Sequence, residues 1–92
     1  MEFIKSEVGT LESSDCLVNV EPFEKFYIEL TSTVDKQFHD LIIKDIESIV
    51  EKFKKDNNLS NLPIKIKIED RGALSFALKA RVLTALTRSL KN

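Results

Sequence analysis

One cysteine, one histidine, two glycines and two prolines occur among 92 residues, and each scarcity closes a class of function. A lone thiol, Cys16, forms no internal disulfide, and nothing in the chain has zinc-ligand spacing. Cys16 therefore reads as a small apolar core residue in a reducing compartment. With only Gly9 and Gly72, no glycine-rich loop is available to cradle a phosphate. With only His39, neither a Ser-His-Asp nor a Cys-His arrangement is well supported. His39 itself falls beside Phe38, off the apolar stripe predicted there, and reads as a surface residue. Long apolar runs are missing too, and the stretches present are far short of the roughly 18 residues a membrane helix needs. The opening residues lack the apolar segment of a secretory signal, so a cytoplasmic protein is expected and Asn58-Leu59-Ser60 carries no meaning as a glycosylation sequon. Charge of one sign is also absent. Fourteen basic and 15 acidic residues are interspersed for a net charge of −1, which disfavours nucleic-acid binding.

What is present suits one small domain. Hydrophobic residues make up 42% of the chain, enough for a core without covalent staples. Residues 16–20 alternate, with Cys16, Val18 and Val20 on one face. Glu21-Pro22-Phe23-Glu24 reads as a turn, and residues 25–31 alternate again with Phe26, Ile28 and Leu30 inward. Two strands this close in sequence are expected to form an antiparallel hairpin.

Ser32 or Thr33 is then expected to cap a helix, with Asp35 in its first turn. Val34, Phe38, Leu41, Ile42, Ile46, Ile49, Val50 and Phe53 follow at helical spacing. Asp40, Asp45, Glu47 and Glu51 decorate its faces as solvated residues. After Pro63, Ile64, Ile66 and Ile68 face one way while Lys65, Lys67 and Glu69 face the other, the pattern of a half-buried strand. Asp70 is expected to cap a last helix whose buried side holds Leu74, Ala77, Leu78, Val82, Ala85 and Leu86, with Leu90 near its end; Gly72 frees the backbone at the corner.

The order β-β-α-β-α implies an α+β two-layer sandwich, a three-stranded mixed sheet with two helices on one face. The second and third strands run parallel if the helix between them lies along the sheet. Whether the third strand joins beside the first or the second is left open. Residues 1–15 show no clear pattern, although Phe3 and Ile4 suit a short edge element.

Two features exceed core and surface. Gly9-Thr10-Leu11-Glu12-Ser13-Ser14-Asp15 sets paired hydroxyls between acids ahead of a strand, as suits a serine reached and modified by another enzyme; a plain surface turn has similar composition. Asp70-Arg71-Gly72-Ala73-Leu74 is a strand-to-helix corner, either a simple turn or a binding element.

Those two segments, with Val34-Asp35-Lys36-Gln37-Phe38 and Lys79-Ala80-Arg81-Val82, give the chain a resemblance to the citrate lyase acyl carrier (gamma chain) family, running from about Val8 to Leu90. The resemblance implies a carrier, not catalytic alone and holding no metal, that works within a large hetero-oligomer. It implies a covalent prosthetic group, 2'-(5''-phosphoribosyl)-3'-dephospho-CoA, joined to a serine oxygen through a phosphodiester, whose distal thiol carries an acetyl group. The family's acceptor follows Leu-Glu directly, which points to Ser13, with Ser14 as second choice. The 1–92 domain then divides into a loop over 1–15 bearing the cofactor serine and a folded core over 16–90.

The partners implied are the alpha subunit (citrate acyl carrier transferase), which exchanges acetyl for citrate, and the beta subunit (citryl lyase), which cleaves the citryl thioester to oxaloacetate and acetyl carrier using its own Mg²⁺. A transferase that installs the group and an acetylating ligase complete the set. A mobile loop on a rigid sandwich would suit such traffic. Asp15 belongs to the family motif and reads either as a recognition element or as a solvating acid; Glu12 reads as solvating. The helix beginning near Gly72, with Arg71, Lys79 and Arg81, is a candidate docking surface, because a coenzyme A-like nucleotide is anionic. The alternatives are the carrier of malonate decarboxylase, which holds the same type of group, and a small non-catalytic interaction domain.

Overall fold

The computed structural model describes residues 2–91; the ends of the expected 1–92 domain, Met1 and Asn92, lie outside them. The elements are β1 (Glu2–Phe3), β2 (Ser6–Gly9), β3 (Cys16–Pro22), β4 (Tyr27–Ser32), α1 (His39–Asp56), β5 (Ile64–Asp70), α2 (Ser75–Ser89) and β6 (Leu90–Lys91). The main sheet has four strands in the order β2-β3-β5-β4, and β1 pairs with β6 in a separate short ladder.

The α+β class and the layering follow the alternation in the sequence, with one strand more in the main sheet than expected, and the structure supplies the strand order that the sequence left open. β3 and β4 do not form a hairpin. β5 lies between them, antiparallel to β3 and parallel to β4. The physical reason lies in the isoleucines. Ile64, Ile66 and Ile68 are fully buried, and a strand with so fully buried a face is best covered at the centre, paired on both edges. β4, whose Ile28 and Leu30 are only half-buried, takes the edge. The link at residues 23–26 strides past the end of β5, where the Phe23 N–H donates to the Pro63 carbonyl at 2.9 Å. Phe26 precedes β4 and is exposed rather than inward.

The hairpin partner of β3 is β2, a strand without a legible pattern because it contributes so few residues to the core. Val8 is its buried member. Its presence narrows the loop expected over 1–15 to residues 10–15. At the amino end Phe3 pairs with Leu90 and packs on the core, while Ile4 is exposed.

One face of the sheet carries the core, where Cys16, Val18, Val20 and the three isoleucines meet Ile46, Val50 and Phe53 of α1 and Leu78, Val82, Ala85 and Leu86 of α2. The opposite face is polar. There Glu29 sits between Lys65 at 3.7 Å and Lys67 at 3.9 Å, weak surface pairs that keep the face wet.

The helix starts differ from expectation. Lys36–Phe38 is a 3-10 turn, and α1 begins only at His39 without a side-chain cap. Ser32 instead donates its hydroxyl to Asp70 at 2.8 Å and accepts the Val34 N–H. Asp70 is buried and accepts the Ala73 N–H at 3.0 Å, so it braces the corner instead of capping α2, which starts at Leu74–Ser75 without a side-chain cap. Phe38, Leu41 and Leu74, placed in the core by periodicity, are exposed. They belong to the first turns of the two helical segments, ahead of the residues that reach the sheet.

Gly9 and Gly72 both hold positive φ, at +102° and +89°. A Cβ on Gly9 would lie 1.9 Å from the Cys16 carbonyl oxygen, whereas one on Gly72 would meet nothing within 4 Å. Gly72→Ala is expected to cost about 1 kcal/mol, the left-handed backbone alone. Gly9→Ala is expected to cost more than roughly 2 kcal/mol, because backbone must move. Urea titration of the two variants checks the ranking.

Candidate functional site

The hairpin between β2 and β3 is closed by the Thr10 N–H donating to the Cys16 carbonyl at 3.1 Å. Inside it the Asp15 N–H reaches the Glu12 carbonyl at 3.2 Å, which puts Ser13 and Ser14 at the centre of a four-residue turn. Ser14 takes φ +64°, the value a type II turn asks of its third residue. Both serines are exposed, and neither hydroxyl has a hydrogen-bond partner among the described residues. Two hydroxyls are thus presented at the tip of the turn.

The turn is held from below by Asp15. Its carboxylate accepts the Thr10 hydroxyl at 2.6 Å, the Cys16 N–H at 2.7 Å, and both Nε (3.2 Å) and Nη2 (3.3 Å) of Arg81. These bonds favour the charged form. The Thr10 hydroxyl first, then the Cys16 amide, then Arg81 hold its pKa down to about 2 from 3.8 against the opposing effect of burial. The turn is also strapped to the corner after β5: the Ser14 N–H donates to the Arg71 carbonyl at 2.8 Å, and the Arg71 N–H donates to the Asp15 carbonyl at 2.9 Å. The loop expected to be mobile is therefore tied at both ends and in the middle.

Asp15 is thus a brace, neither a solvating acid nor a group left open for recognition. The candidate anion surface separates accordingly. Arg81 is used by Asp15, Lys79 faces Asp45 at 3.7 Å, and Arg71 is exposed with no ion-pair partner among the described residues. Glu12 is exposed as expected. Asp45, read as solvated, is half-buried and accepts the Ser75 hydroxyl at 2.6 Å, fastening α1 to the start of α2. Neither Asp45–Ser75 nor Asp15–Arg81 had a local signal, since their partners lie 30 and 66 residues apart.

Cys16 is fully buried, and burial, then Asp15 and Asp70, push its thiol up to about 11. His39 is half-buried rather than on the surface, its Nε2 shielded without a hydrogen-bond partner among the described residues. No group of three or more His, Cys, Asp or Glu among the described residues is placed to hold a metal ion. No helix among the described residues is long and apolar enough to cross a membrane. A shallow groove of about 230 Å³ adjoins the corner, lined by Val34, Phe38, Leu41, Ile42, Ala73 and Leu78 among others.

A family model described as malonate decarboxylase delta subunit (MdcD) matches residues 5–89. The citrate lyase acyl carrier protein of Treponema denticola is 42% identical over 81 residues, covering 88% of this chain and 86% of the relative. That of Clostridium perfringens is 43% identical over 83 residues, covering 88% and 76%. The chain belongs to the citrate lyase acyl carrier protein family. The family's fold is seen in a Pseudomonas malonate decarboxylase hetero-tetramer in complex with malonate, one chain of which superposes with a TM-score of 0.63 at 19% identity, covering 92% of the carrier and 82% of that chain.

The stability contributed by Asp15 has a pH signature. Its folded pKa is depressed, so the contribution is present above the unfolded value near 3.8 and is lost as pH falls toward about 2. Asp15→Asn is expected to be less stable than wild type at pH 7, with the gap narrowing between pH 4 and 2. Urea midpoints measured across that range check it.

Proposed function

We propose that this carrier serves a cytoplasmic citrate lyase complex, with the Ser13 oxygen joined by a phosphodiester to 2'-(5''-phosphoribosyl)-3'-dephospho-CoA. The observation that carries the reading is the pair of unpartnered hydroxyls on a pinned turn, in a chain of this family. The residues fit such a group. A phosphodiester needs a hydroxyl without competing bonds and surroundings whose acids are already balanced; Asp15 is balanced by Arg81, and Arg71, with no ion-pair partner among the described residues, adds a cation beside the turn.

When bound, the group supplies a thiol that holds an acyl chain as a thioester. The chain's own residues hold the attachment point still. The Asp15 bonds and the Arg71 strap fix the origin of the arm, so its far end searches a limited volume. A tethered acyl group then meets the transferase (alpha) and lyase (beta) subunits at high effective concentration without escaping to bulk. Loading would be the task of the phosphoribosyl-dephospho-CoA transferase, and acetylation that of a ligase.

Geometry supports Ser13 over Ser14. The second position has φ +64° and donates its amide to Arg71, so it is selected for backbone shape, where glycine would serve as well. Ser13 has no positive φ, so the backbone places no such demand on its residue type.

A second reading, the carrier of malonate decarboxylase, is supported by the family model's description and by the structural neighbour. Restoring citrate cleavage to a carrier-depleted citrate lyase, and failing to restore a carrier-depleted malonate decarboxylase, separates the two. A plain interaction domain would keep the mass of the bare polypeptide.

Intact mass after incubation with the transferase and its cofactor precursor is expected to rise in wild type and in Ser14→Gly, and to stay unchanged in Ser13→Ala. Addition to Ser13→Ala overturns the assignment. Because Cys16 is buried with a raised pKa, the native unloaded chain is expected to show no fast-reacting thiol and the loaded chain one. Titration with a chromogenic disulfide, with and without denaturant, checks this.

A further inference from the structure

We infer that the Arg71 guanidinium binds the phosphodiester at the carrier serine and so sets how that group is received and oriented. The inference rests on the attachment proposed above. Three observations carry it. First, the backbone of Arg71 bonds the turn twice, at 2.8 Å to the Ser14 N–H and at 2.9 Å to the Asp15 carbonyl. Hydrogen-bonded backbones lie about 5 Å apart and one residue of chain adds less than about 4 Å, so the Ser13 and Arg71 Cα atoms are within about 9 Å. That is inside the combined reach of an arginine side chain and a phosphorylated serine.

Second, the basic residues of the corner and α2 divide by occupation. The Arg81 fork is filled by Asp15 and Lys79 faces Asp45, whereas the exposed Arg71 has no ion-pair partner among the described residues. Third, a phosphodiester placed on Ser13 adds a negative charge between Glu12 and Asp15. Arg81 offsets Asp15, and Arg71 is the remaining cation strapped to the turn. A guanidinium presents paired N–H donors that match two phosphate oxygens, a geometry that lysine's single ammonium does not reproduce.

Arg71 serves the fold through its main-chain N–H and carbonyl, which any non-proline residue supplies. Side-chain variants therefore test binding without removing the strap. The experiment loads full-length wild type, Arg71→Gln and Arg71→Lys with the transferase and the cofactor precursor, then compares phosphodiester ³¹P shifts, loading KM and melting temperature. At low salt Arg71→Gln is expected to raise the loading KM about tenfold or more, as loss of a charge-assisted bond implies, and to move the ³¹P resonance. Arg71→Lys is expected to fall between the two, with all three melting together. The differences should shrink toward 0.5 M salt as the contact is screened.

Wild type that gains no mass, or gains it away from Ser13, overturns the attachment itself before Arg71 is questioned. Wild type loaded at Ser13 while Arg71→Gln matches it in ³¹P shift at every salt concentration overturns the role of Arg71 alone. A raised KM with an unchanged ³¹P shift also overturns it, because the side chain would then contact the transferase and not the phosphate.

Discussion

The Asp15 carboxylate is the point on which the site depends. It gathers a hydroxyl from its own loop, the first amide of β3 and a guanidinium from the middle of α2. It joins a hairpin end to a helix residue 66 positions away through charge-assisted bonds. Without it, Ser13 and Ser14 would sit on an ordinary surface loop. With it they sit on a fixed post, since each bond to Asp15 removes a way for the turn to tilt.

The fold supplies the frame for that post. β5 places its buried isoleucines at the centre of the sheet, and its end carries Asp70 and Arg71 alongside the end of the β2–β3 hairpin, where Cys16 pairs with Asp70. Asp70 braces Ser32 and Ala73 on one side of this junction while Arg71 braces the serine turn on the other. The corner after β5 thus links the edge strand, the start of α2 and the turn. A sheet with one polar face leaves all of this at one end of a single layer of helices, so the site stays open to solvent.

Such a mount separates two demands that conflict in one piece of chain. Presentation to large partner enzymes calls for a fixed shape, because ordering a loose loop at each encounter costs conformational entropy. Delivery between partners calls for reach. In the proposed reading the polypeptide meets the first demand and the arm meets the second.

Much of this was legible in the chain itself. The two helices, the half-buried strand from Ile64 and the alternation from Cys16 follow from local periodicity, which depends only on near neighbours. The motif with Ser13, and the corner with Arg71, stood out by residue type. β2 did not, because Val8 is its one buried side chain and so brief an alternation is indistinguishable from loop. Phe38, Leu41 and Leu74 misled, since period reports a face and not whether anything covers it. Local sequence determined the layers, the core stripes and the hydroxyls a modifying enzyme could reach. Only the tertiary structure decided that β5 separates β3 from β4, that Asp15 takes Arg81, and that Arg71 is left over, because those outcomes turn on pairings between residues far apart in the chain.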